Sequence, residues 1–332
     1  MARLVAAFGS SHSIMLTSTR ENWQHDFVEA DKRNPFLYDR NGVRLTYDEL
    51  LARAPADAAS LVTPEKMGER YDRAQDAIAQ LRERIRGARL DVLFIVGDDQ
   101  NEVFTAANMP AIAVYYGKTI RNTAASVSPG DPWVKVARMR RHEPDRDREY
   151  PVDSVFAEWL IRWLSDREFD VAALASLAPG QHEGHAFQFV HRRYLDGIDL
   201  PVVPIMLNTF DPPNQPTARR CVRLGEALRT AIAEYPADVR VGLIASGGLS
   251  HFVVDEELDH QVLQAIRNRD MEALAGLPAY RLQSGSSEIR NWLAVASAAR
   301  DLDFDWVTYI PAYRTPALSG TGLCFASWQV LN

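Results

Sequence analysis

Residues 92–97 read Val-Leu-Phe-Ile-Val-Gly, an unbroken apolar run that ends at a glycine. Apolar side chains at every position are typical of a strand that is buried on both faces of a sheet. Further runs of this kind lie along the whole chain, at residues 4–8, 111–115, 171–175, 201–207, 241–245 and 306–310. The sequence therefore predicts a sheet that is covered on both sides.

Helical patterns separate these predicted strands. One begins at Thr63-Pro64, where threonine suits the N-cap and proline suits the first turn. It continues to Gly87 with apolar residues at three- and four-residue spacing. Two more apolar faces lie at residues 155–164 and 221–235. Alternating strands and helices predict an α/β fold, a three-layer αβα arrangement around a mostly parallel or mixed sheet.

No linker rich in proline, glycine or serine divides the 332 residues, so we expect a single domain over residues 1–332. The segment at residues 20–62 is less regular than the rest. Within it, Asn41-Gly42 predicts a hairpin over residues 38–45. We interpret this segment as a lid or insertion on the domain.

Charge and cysteine content exclude several classes of protein. The formal net charge of −7 argues against bulk nucleic-acid binding, which needs a basic surface. No apolar run approaches the roughly 18 residues of a membrane span. The only cysteines, Cys221 and Cys324, favour a reducing cytoplasm over a disulfide scaffold. The basic run at residues 135–148 also holds acids, so it is either a solvated loop or a surface that steers an anionic substrate.

Histidines follow two of the predicted strands. His12 lies in a polar loop directly after the run at 4–8, where imidazole can bind a borderline metal or simply cap the loop. His251 follows Gly247-Gly248, and these glycines allow a sharp turn and the close approach of another group. A histidine presented in this way suits proton transfer, because its ordinary pKa lies near neutrality.

Other candidate groups have equally simple structural roles. His185 precedes an apolar helix, and we expect it, rather than the nearby His182, to be functional. Glu288 lies at a predicted helix start, where a carboxylate is also stabilised by the helix dipole. Asp98 and Asp99 follow the strand at 92–96 and are equally suited to capping the next helix.

Several familiar motifs are absent from the sequence. It contains neither Gly-x-Gly-x-x-Gly nor the phosphate-binding Gly-x-x-x-x-Gly-Lys-Ser/Thr pattern. It also lacks the Gly-x-Ser-x-Gly nucleophile elbow. Dinucleotide binding, nucleotide-phosphate binding and Ser-His-Asp hydrolysis therefore have little direct support.

Taken in order, the candidate segments resemble the class III extradiol ring-cleavage dioxygenases, in particular the catalytic β subunit of protocatechuate 4,5-dioxygenase and the gallate and 3-O-methylgallate dioxygenases. The resemblance covers most of the chain and rests on residues 10–12, 97–100, 185, 207–221, 247–251, 288–292 and 309–312. Residues 20–85, an insertion within the domain, fall outside the close match. They are expected to supply what a separate small subunit gives in that family.

The resemblance implies a non-haem Fe(II) held by two histidines and one glutamate, with open positions for a catechol and dioxygen. It assigns His12 and Glu288 to the metal and His251 to acid–base work on the substrate hydroxyl. His185 would stabilise bound oxygen or the substrate from outside the metal's ligands. Arg314, beside Tyr313, is a candidate for binding a substrate carboxylate, because guanidinium binds carboxylates in bidentate fashion.

The second histidine of that family has no counterpart here, because the aligned residues are Asp98-Asp99-Gln100. Three alternatives stay open for the missing ligand. Gln100 supplies its amide oxygen, or Asp98 or Asp99 coordinates and gives a more anionic site suited to Mn(II), or His25 folds back from the insertion.

The leading expectation is an enzyme that opens the ring of a catecholic aromatic acid, such as 3-O-methylgallate, gallate or protocatechuate, with Fe(II) and O₂. One alternative is a metal-dependent hydrolase or isomerase on the same scaffold, in which a metal such as Zn(II) acts as a Lewis acid. Another is a non-catalytic binding protein that keeps the fold, because fold does not imply function. We also expect a homodimer, since dimers are the commonest soluble oligomers.

Overall fold

The computed structural model describes residues 1–330 and places a nine-stranded mixed sheet between two layers of helices. The strands of this region are β1 (Arg3–Ser10), β2 (Val92–Asp98), β3 (Ile112–Tyr115), β4 (Thr119–Asn122), β5 (Arg148–Pro151), β6 (Ala172–Leu174), β7 (Val202–Leu207), β8 (Arg240–Ser246), β9 (His251–Val253), β10 (Asp303–Tyr313) and β11 (Ser319–Gln329). Strands β4 and β5 form a separate two-stranded sheet.

The helices are α1 (Arg20–His25), α2 (Phe27–Asp31), α3 (Tyr47–Arg53), α4 (Pro64–Gly87), α5 (Trp133–Met139), α6 (Ser154–Ser165), α7 (His185–Arg193), α8 (Ala218–Glu234), α9 (Glu256–Arg267), α10 (Met271–Ala275) and α11 (Ile289–Ala298). Short 3-10 helices lie at Ile14–Thr17, Ala58–Leu61, Ala279–Arg281 and Ser284–Glu288. Within residues 1–330, no helix combines the length and the apolar character needed to span a bilayer.

The order of the large sheet is β10-β11-β1-β8-β2-β7-β3-β6, and β9 pairs with β11. Its four central strands, β1, β8, β2 and β7, are parallel to one another. Ser10 pairs with Ser246, and Asp98 pairs with Leu207, so these strands end at one common edge. In open α/β sheets, functional groups collect in the loops beyond this carboxyl edge.

Strand β2 shows why the run at residues 92–97 is apolar throughout. Val92, Phe94 and Val96 pack in one core with α6, α8 and α11. Leu93 and Ile95 point the other way and pack in a second core with α4 and α7. Because successive side chains of a strand face opposite sides, a doubly covered strand needs apolar residues at every position. The predicted αβα arrangement is confirmed.

The segment before α4 is less regular, as expected. Tyr38 and Arg44 form an isolated antiparallel bridge, and Gly42 has a φ of 74°, so the chain turns back at Asn41-Gly42 as predicted. Helix α4, by contrast, packs against one face of the large sheet, in the second core. It is a structural layer of the fold although it lies within the predicted insertion at residues 20–85. The assignment of one domain with an insertion stays a prediction.

Candidate active site

Four potential metal ligands meet beyond the carboxyl edge of the sheet. His12 lies just after β1, Asp98 ends β2, His185 begins α7, and Glu288 ends the 3-10 helix that leads into α11. One ligand atom from each lies within 4.8 Å of the others. His12, Asp98 and Glu288 are buried, and the His185 side chain is only 12% exposed. Residues distant in sequence thus form one compact group of donors.

The hydrogen bonds of His12 define which of its nitrogens is free. Ser246 donates its hydroxyl proton to the carbonyl of Ala186 at 2.7 Å, so its oxygen must accept from His12 Nδ1, which lies 3.0 Å away. A neutral imidazole that carries its proton on Nδ1 has a lone pair on Nε2. This lone pair faces the carboxylates, and the serine acts as the outer partner that orients a metal-binding histidine.

The other two histidines are oriented in the same way. His185 donates from Nδ1 to Glu102 at 2.6 Å, and its backbone N–H also bonds to that carboxylate. His251 donates from Nδ1 to the carbonyl of Leu249 at 2.9 Å. In both rings Nε2 then points into the site. Nε2 of His185 lies 3.0 Å from Nε2 of His12, and Nε2 of His251 lies 3.2 Å from Oε1 of Glu288.

The two carboxylates have different surroundings. Glu288 is buried, yet the imidazoles of His251 and His12 hold its pKa well below the usual range. It also accepts the backbone N–H of Gly248 at 2.7 Å. Burial, together with the nearby Glu288, raises the pKa of Asp98. Oδ1 of Asp98 lies 3.7 Å from Nε2 of His12, and Oδ2 lies 3.7 Å from Nε2 of His185.

This donor set fits a divalent cation. The Nε2 atoms of His12 and His185 lie only 3.0 Å apart, and each has its Nδ1 proton engaged elsewhere. Without a proton or a cation between them, two lone pairs would face each other. Glu102 and Asp98 outweigh burial and raise the pKa of His185 to about 9, which shows how strongly the site favours positive charge. Two imidazoles and two carboxylates are suitable ligands for Fe(II), Mn(II) or Zn(II).

Three residues that were alternatives for the third metal ligand have other positions or contacts in the structure. Gln100 donates its amide nitrogen to Asp98 at 2.8 Å and to Glu288 at 3.2 Å, so its oxygen is not the atom that faces the donors. Asp99 accepts the backbone N–H groups of residues 102–104 and thereby caps a turn. His25 is exposed on α1. The geometry favours Asp98 over these alternatives.

The predicted substrate-binding pair is engaged with protein groups instead. Arg314 is buried and makes two hydrogen bonds to Asp31, at 2.7 and 2.8 Å. Tyr313 donates its hydroxyl proton to Glu256. Because Arg314 already holds a carboxylate of its own chain, it ties α2 to the sheet and is not free to bind a substrate carboxylate.

An inner cavity of about 340 Å³ opens over three of the four donors, all except the fully buried Asp98. Its wall includes Gln100, His251 and Phe252, together with Arg138 and Arg141 from the end of α5 and the loop after it. Both arginines belong to the basic run at residues 135–148, for which steering of an anionic substrate was one of the two interpretations. Their proximity to the histidines depends on long-range packing, which no local sequence pattern reveals.

Gly285 permits the observed position of His251. A β-carbon at this glycine would overlap the His251 ring. We therefore expect Gly285→Ala to displace the imidazole and to lower kcat by about a hundredfold, since displacements near 1 Å can cost that much. The measurements are kcat and Tm.

Gly87→Ala, at the end of α4, is the matched control because nothing lies within 4 Å of its added carbon. Equal kcat values for the two variants would disprove this positional role of Gly285.

Comparison with known proteins gives partial matches to curated sequences, among them two dioxygenases. Gallate dioxygenase of Pseudomonas putida is 39% identical over 105 residues, which cover 28% of this chain and 30% of the relative. The 2,3-dihydroxyphenylpropionate/2,3-dihydroxicinnamic acid 1,2-dioxygenase of Comamonas testosteroni is 35% identical over 92 residues, 28% of this chain and 27% of the relative. The chain thus spans less than a third of the length of these relatives.

An uncharacterized Escherichia coli K12 protein of known crystal structure superposes with a TM-score of 0.45 at 15% identity, over 76% of this chain and 92% of that one. The family model described as the catalytic LigB subunit of aromatic ring-opening dioxygenase matches residues 58–323. This range is well over half of the sequence and includes Asp98, His185, His251 and Glu288. The chain therefore belongs to the family of catalytic LigB subunits of aromatic ring-opening dioxygenases.

Proposed function

We propose that this chain is a non-haem Fe(II)-dependent extradiol dioxygenase that opens the ring of a catecholic aromatic acid with O₂. The proposal rests chiefly on the inward convergence of three imidazole Nε2 atoms and two carboxylates at the sheet edge. Membership of the ring-opening family supports the reaction class. The two curated relatives described above are named as dioxygenases of aromatic acids, which also supports it.

In this proposal His12, Asp98, His185 and Glu288 hold the metal ion. His185 was expected outside the metal's ligands, but its Nε2 lies 3.0 Å from Nε2 of His12 and 3.7 Å from Asp98, which favours a place among the donors. The donor set is more anionic than a site of two histidines and one carboxylate, because Asp98 adds a second carboxylate. Four protein donors would leave two open positions on a six-coordinate Fe(II), enough for the two catechol hydroxyls, and direct binding of dioxygen as well would require one of the four donors to leave the ion. Ser246 and Glu102 keep the imidazoles of His12 and His185 in the correct tautomer, since each accepts an Nδ1 proton.

His251 is the proposed acid–base group. Its Nδ1 proton is committed to the carbonyl of Leu249, so exchange with the substrate takes place at Nε2. Burial alone lowers the pKa of His251, but Glu288 raises it above the ordinary histidine value. A raised pKa makes the imidazole a stronger base, and its neutral form accepts a proton from a catechol hydroxyl at Nε2 and returns it to the ring-opened product.

The inner cavity also suits an acidic substrate. Arg138 and Arg141 line it, and within residues 1–330 neither guanidinium forms a salt bridge with a carboxylate of the chain. Burial lowers the pKa of Arg141, while Glu102, Glu288 and Asp98 favour its charged form. An unpaired guanidinium at the cavity wall is suited to binding a carboxylate through two hydrogen bonds.

Arg141→Gln is expected to raise KM for protocatechuate about tenfold to a hundredfold, as the loss of a charged hydrogen bond typically does. KM for 4-methylcatechol, which has no carboxylate, should stay unchanged. Steady-state oxygen uptake with the two substrates measures both effects. Arg146→Gln, on the exposed part of the same loop, is the matched control. A parallel rise for both substrates would count against carboxylate recognition by Arg141.

The proposed function is tested by loading the protein with Fe(II) under anaerobic conditions and then admitting oxygen. Gallate, 3-O-methylgallate, protocatechuate and simple catechols form the substrate panel. We expect oxygen uptake and a yellow ring-opened product with at least one of them. No uptake with any member would contradict the proposal, and oxygen-independent activity with zinc would support hydrolytic or isomerising chemistry instead.

A further inference from the structure

A second cavity adjoins the active site. This outer cavity, of about 460 Å³, lies between residues 38–55 on one side and residues 253–257 and 280–286 on the other. His251 lines both the outer and the inner cavity. Ser286, in the wall of the outer cavity, accepts the backbone N–H of His251 at 3.0 Å. The proposed acid–base residue therefore stands at the boundary between the two spaces.

The roof of the outer cavity comes from a segment that precedes the match to the family model. Tyr38, Leu50 and Arg53 precede residue 58, where the match to the family model begins. The segment is fixed to the opposite wall. Ser284 donates its hydroxyl proton to the carbonyl of Phe36 at 2.7 Å, and Gly42 sits so close to Tyr280 that an added β-carbon would lie 2.8 Å from the Tyr280 carbonyl oxygen.

The three arginines that line the outer cavity are paired with three of its four carboxylates, and the fourth carboxylate, Glu256, accepts the hydroxyl proton of Tyr313. Arg53 lies 3.1 Å from Asp39, and Arg281 lies 2.7 Å from Asp255. Arg40 lies 3.7 Å from Glu257. The arginines of the inner cavity, by contrast, form no such pairs within residues 1–330. The outer cavity therefore has no free cation with which to bind a second acidic group.

Apolar side chains supply much of the remaining wall. Leu50 and Ala317 are buried, while Tyr280 is half-exposed and presents an aromatic face. Tyr38 and Val253 complete this part of the lining. A volume of this size with aromatic and aliphatic walls lies within the range of small-molecule sites. Such walls favour an uncharged ring, because burial of apolar surface is the main interaction they offer.

We propose that the outer cavity binds an uncharged substituent of about the size of a phenyl ring, carried by the same substrate whose dihydroxylated ring lies beside His251. This inference rests on the proposed function and narrows its substrate class to catechols with an apolar aryl arm. In this arrangement the carboxylate or hydroxyl groups of the dihydroxylated ring face the inner cavity. The aryl substituent extends past His251 into the outer cavity.

Ala54→Trp tests this assignment. Ala54 is half-buried in the wall of the outer cavity, just after α3, so a larger side chain there fills the space with little effect on the core. Ala52→Trp is the matched control, because Ala52 is exposed on α3 and does not line the cavity. Tyr280→Ala removes one aromatic wall and provides an independent second variant.

Binding of 2,3-dihydroxybiphenyl and of protocatechuate is measured by anaerobic calorimetry with the Fe(II)-loaded protein. We expect Ala54→Trp and Tyr280→Ala to weaken biphenyl binding by about tenfold or more, as loss of a buried ring requires, and to leave protocatechuate binding unchanged. Ala52→Trp should change neither. Equal effects on both ligands, or no effect on the biphenyl, would overturn the inference.

The same titrations separate the two proposals. If oxygen uptake fails with every catechol while the selective loss of biphenyl binding persists, the outer-cavity assignment stands and the proposed reaction falls. If protocatechuate is opened while biphenyl binding is insensitive to both variants, the reaction stands and the outer-cavity assignment falls.

Discussion

Replacement of Asp98 by alanine is expected to weaken Fe(II) binding by more than about a hundredfold, beyond the 10- to 100-fold typical of residues outside the ligand set. The reason is geometric, since the Asp98 oxygens face the Nε2 atoms of both His12 and His185. Its loss leaves Glu288 as the only carboxylate among the three remaining donors. Metal content after dialysis against buffered Fe(II) measures the effect, and the spectrum of the Co(II)-substituted protein reports the change in coordination.

Gln100→Ala is the decisive comparison, because Gln100 is the ligand that the sequence alone suggested first. We expect a smaller loss of affinity, about tenfold, as for an outer partner of Asp98 and Glu288. The Co(II) spectrum should keep its wild-type form. If Gln100→Ala loses the metal while Asp98→Ala retains it, the amide oxygen is the third donor and our assignment is wrong.

His251→Gln is expected to lower kcat by about 10²- to 10⁴-fold, the usual contribution of a positioned acid–base group. Glutamine can still donate a hydrogen bond but cannot exchange a proton at Nε2. The Fe(II) content should stay near the wild-type value, because His251 lies beside Glu288 and outside the group of four donors. Single-turnover oxygen consumption with a catechol measures the chemical step.

The matched control for this variant is His260→Gln, which changes an exposed histidine on α9. It should have wild-type kcat and Fe(II) content. Retention of full kcat in His251→Gln would remove His251 from the mechanism, and loss of the metal in that variant would make it a ligand instead.

Much of the fold was predictable because its central strands are buried on both faces. The runs at residues 92–97, 201–207 and 241–245 form β2, β7 and β8. Strand β11 (Ser319–Gln329) was not predicted, although it lies between β1 and β10 and is buried along most of its length. Its first half carries glycines and hydroxyl residues rather than an apolar run. Gly322 is needed there because a β-carbon would collide with Asp259, a contact that no local pattern reveals.

The site was predictable only in part. Placement at strand ends predicted His12, Asp98 and His251 at one edge, since parallel strands share a carboxyl end. Glu288, predicted at a helix start, reaches them from the 3-10 helix before α11. The choice between Asp98 and Gln100 depended on side-chain direction. Asp98 is the last residue of β2 and faces the imidazoles, whereas Gln100 reaches back over it as a donor. The pairing of Glu102 with His185 joins residues far apart in the chain and has no sequence pattern.

Some expectations remain predictions. Cys221 and Cys324 are free and buried, which agrees with the absence of a disulfide scaffold. Burial raises the pKa of both thiols, so neither is poised as a nucleophile. The cytoplasmic location and the homodimer both stay predictions.

The most direct test of the account is the fate of oxygen atoms in one turnover. Fe(II)-loaded protein is mixed with ¹⁸O₂ and the catecholic acid that gives the fastest oxygen uptake, and the product is analysed by mass spectrometry. We expect a ring-opened product that carries both ¹⁸O atoms when it is trapped before a new aldehyde group exchanges its oxygen with water. Oxygen consumption that leaves the ring intact, or a product without the label, would contradict the account.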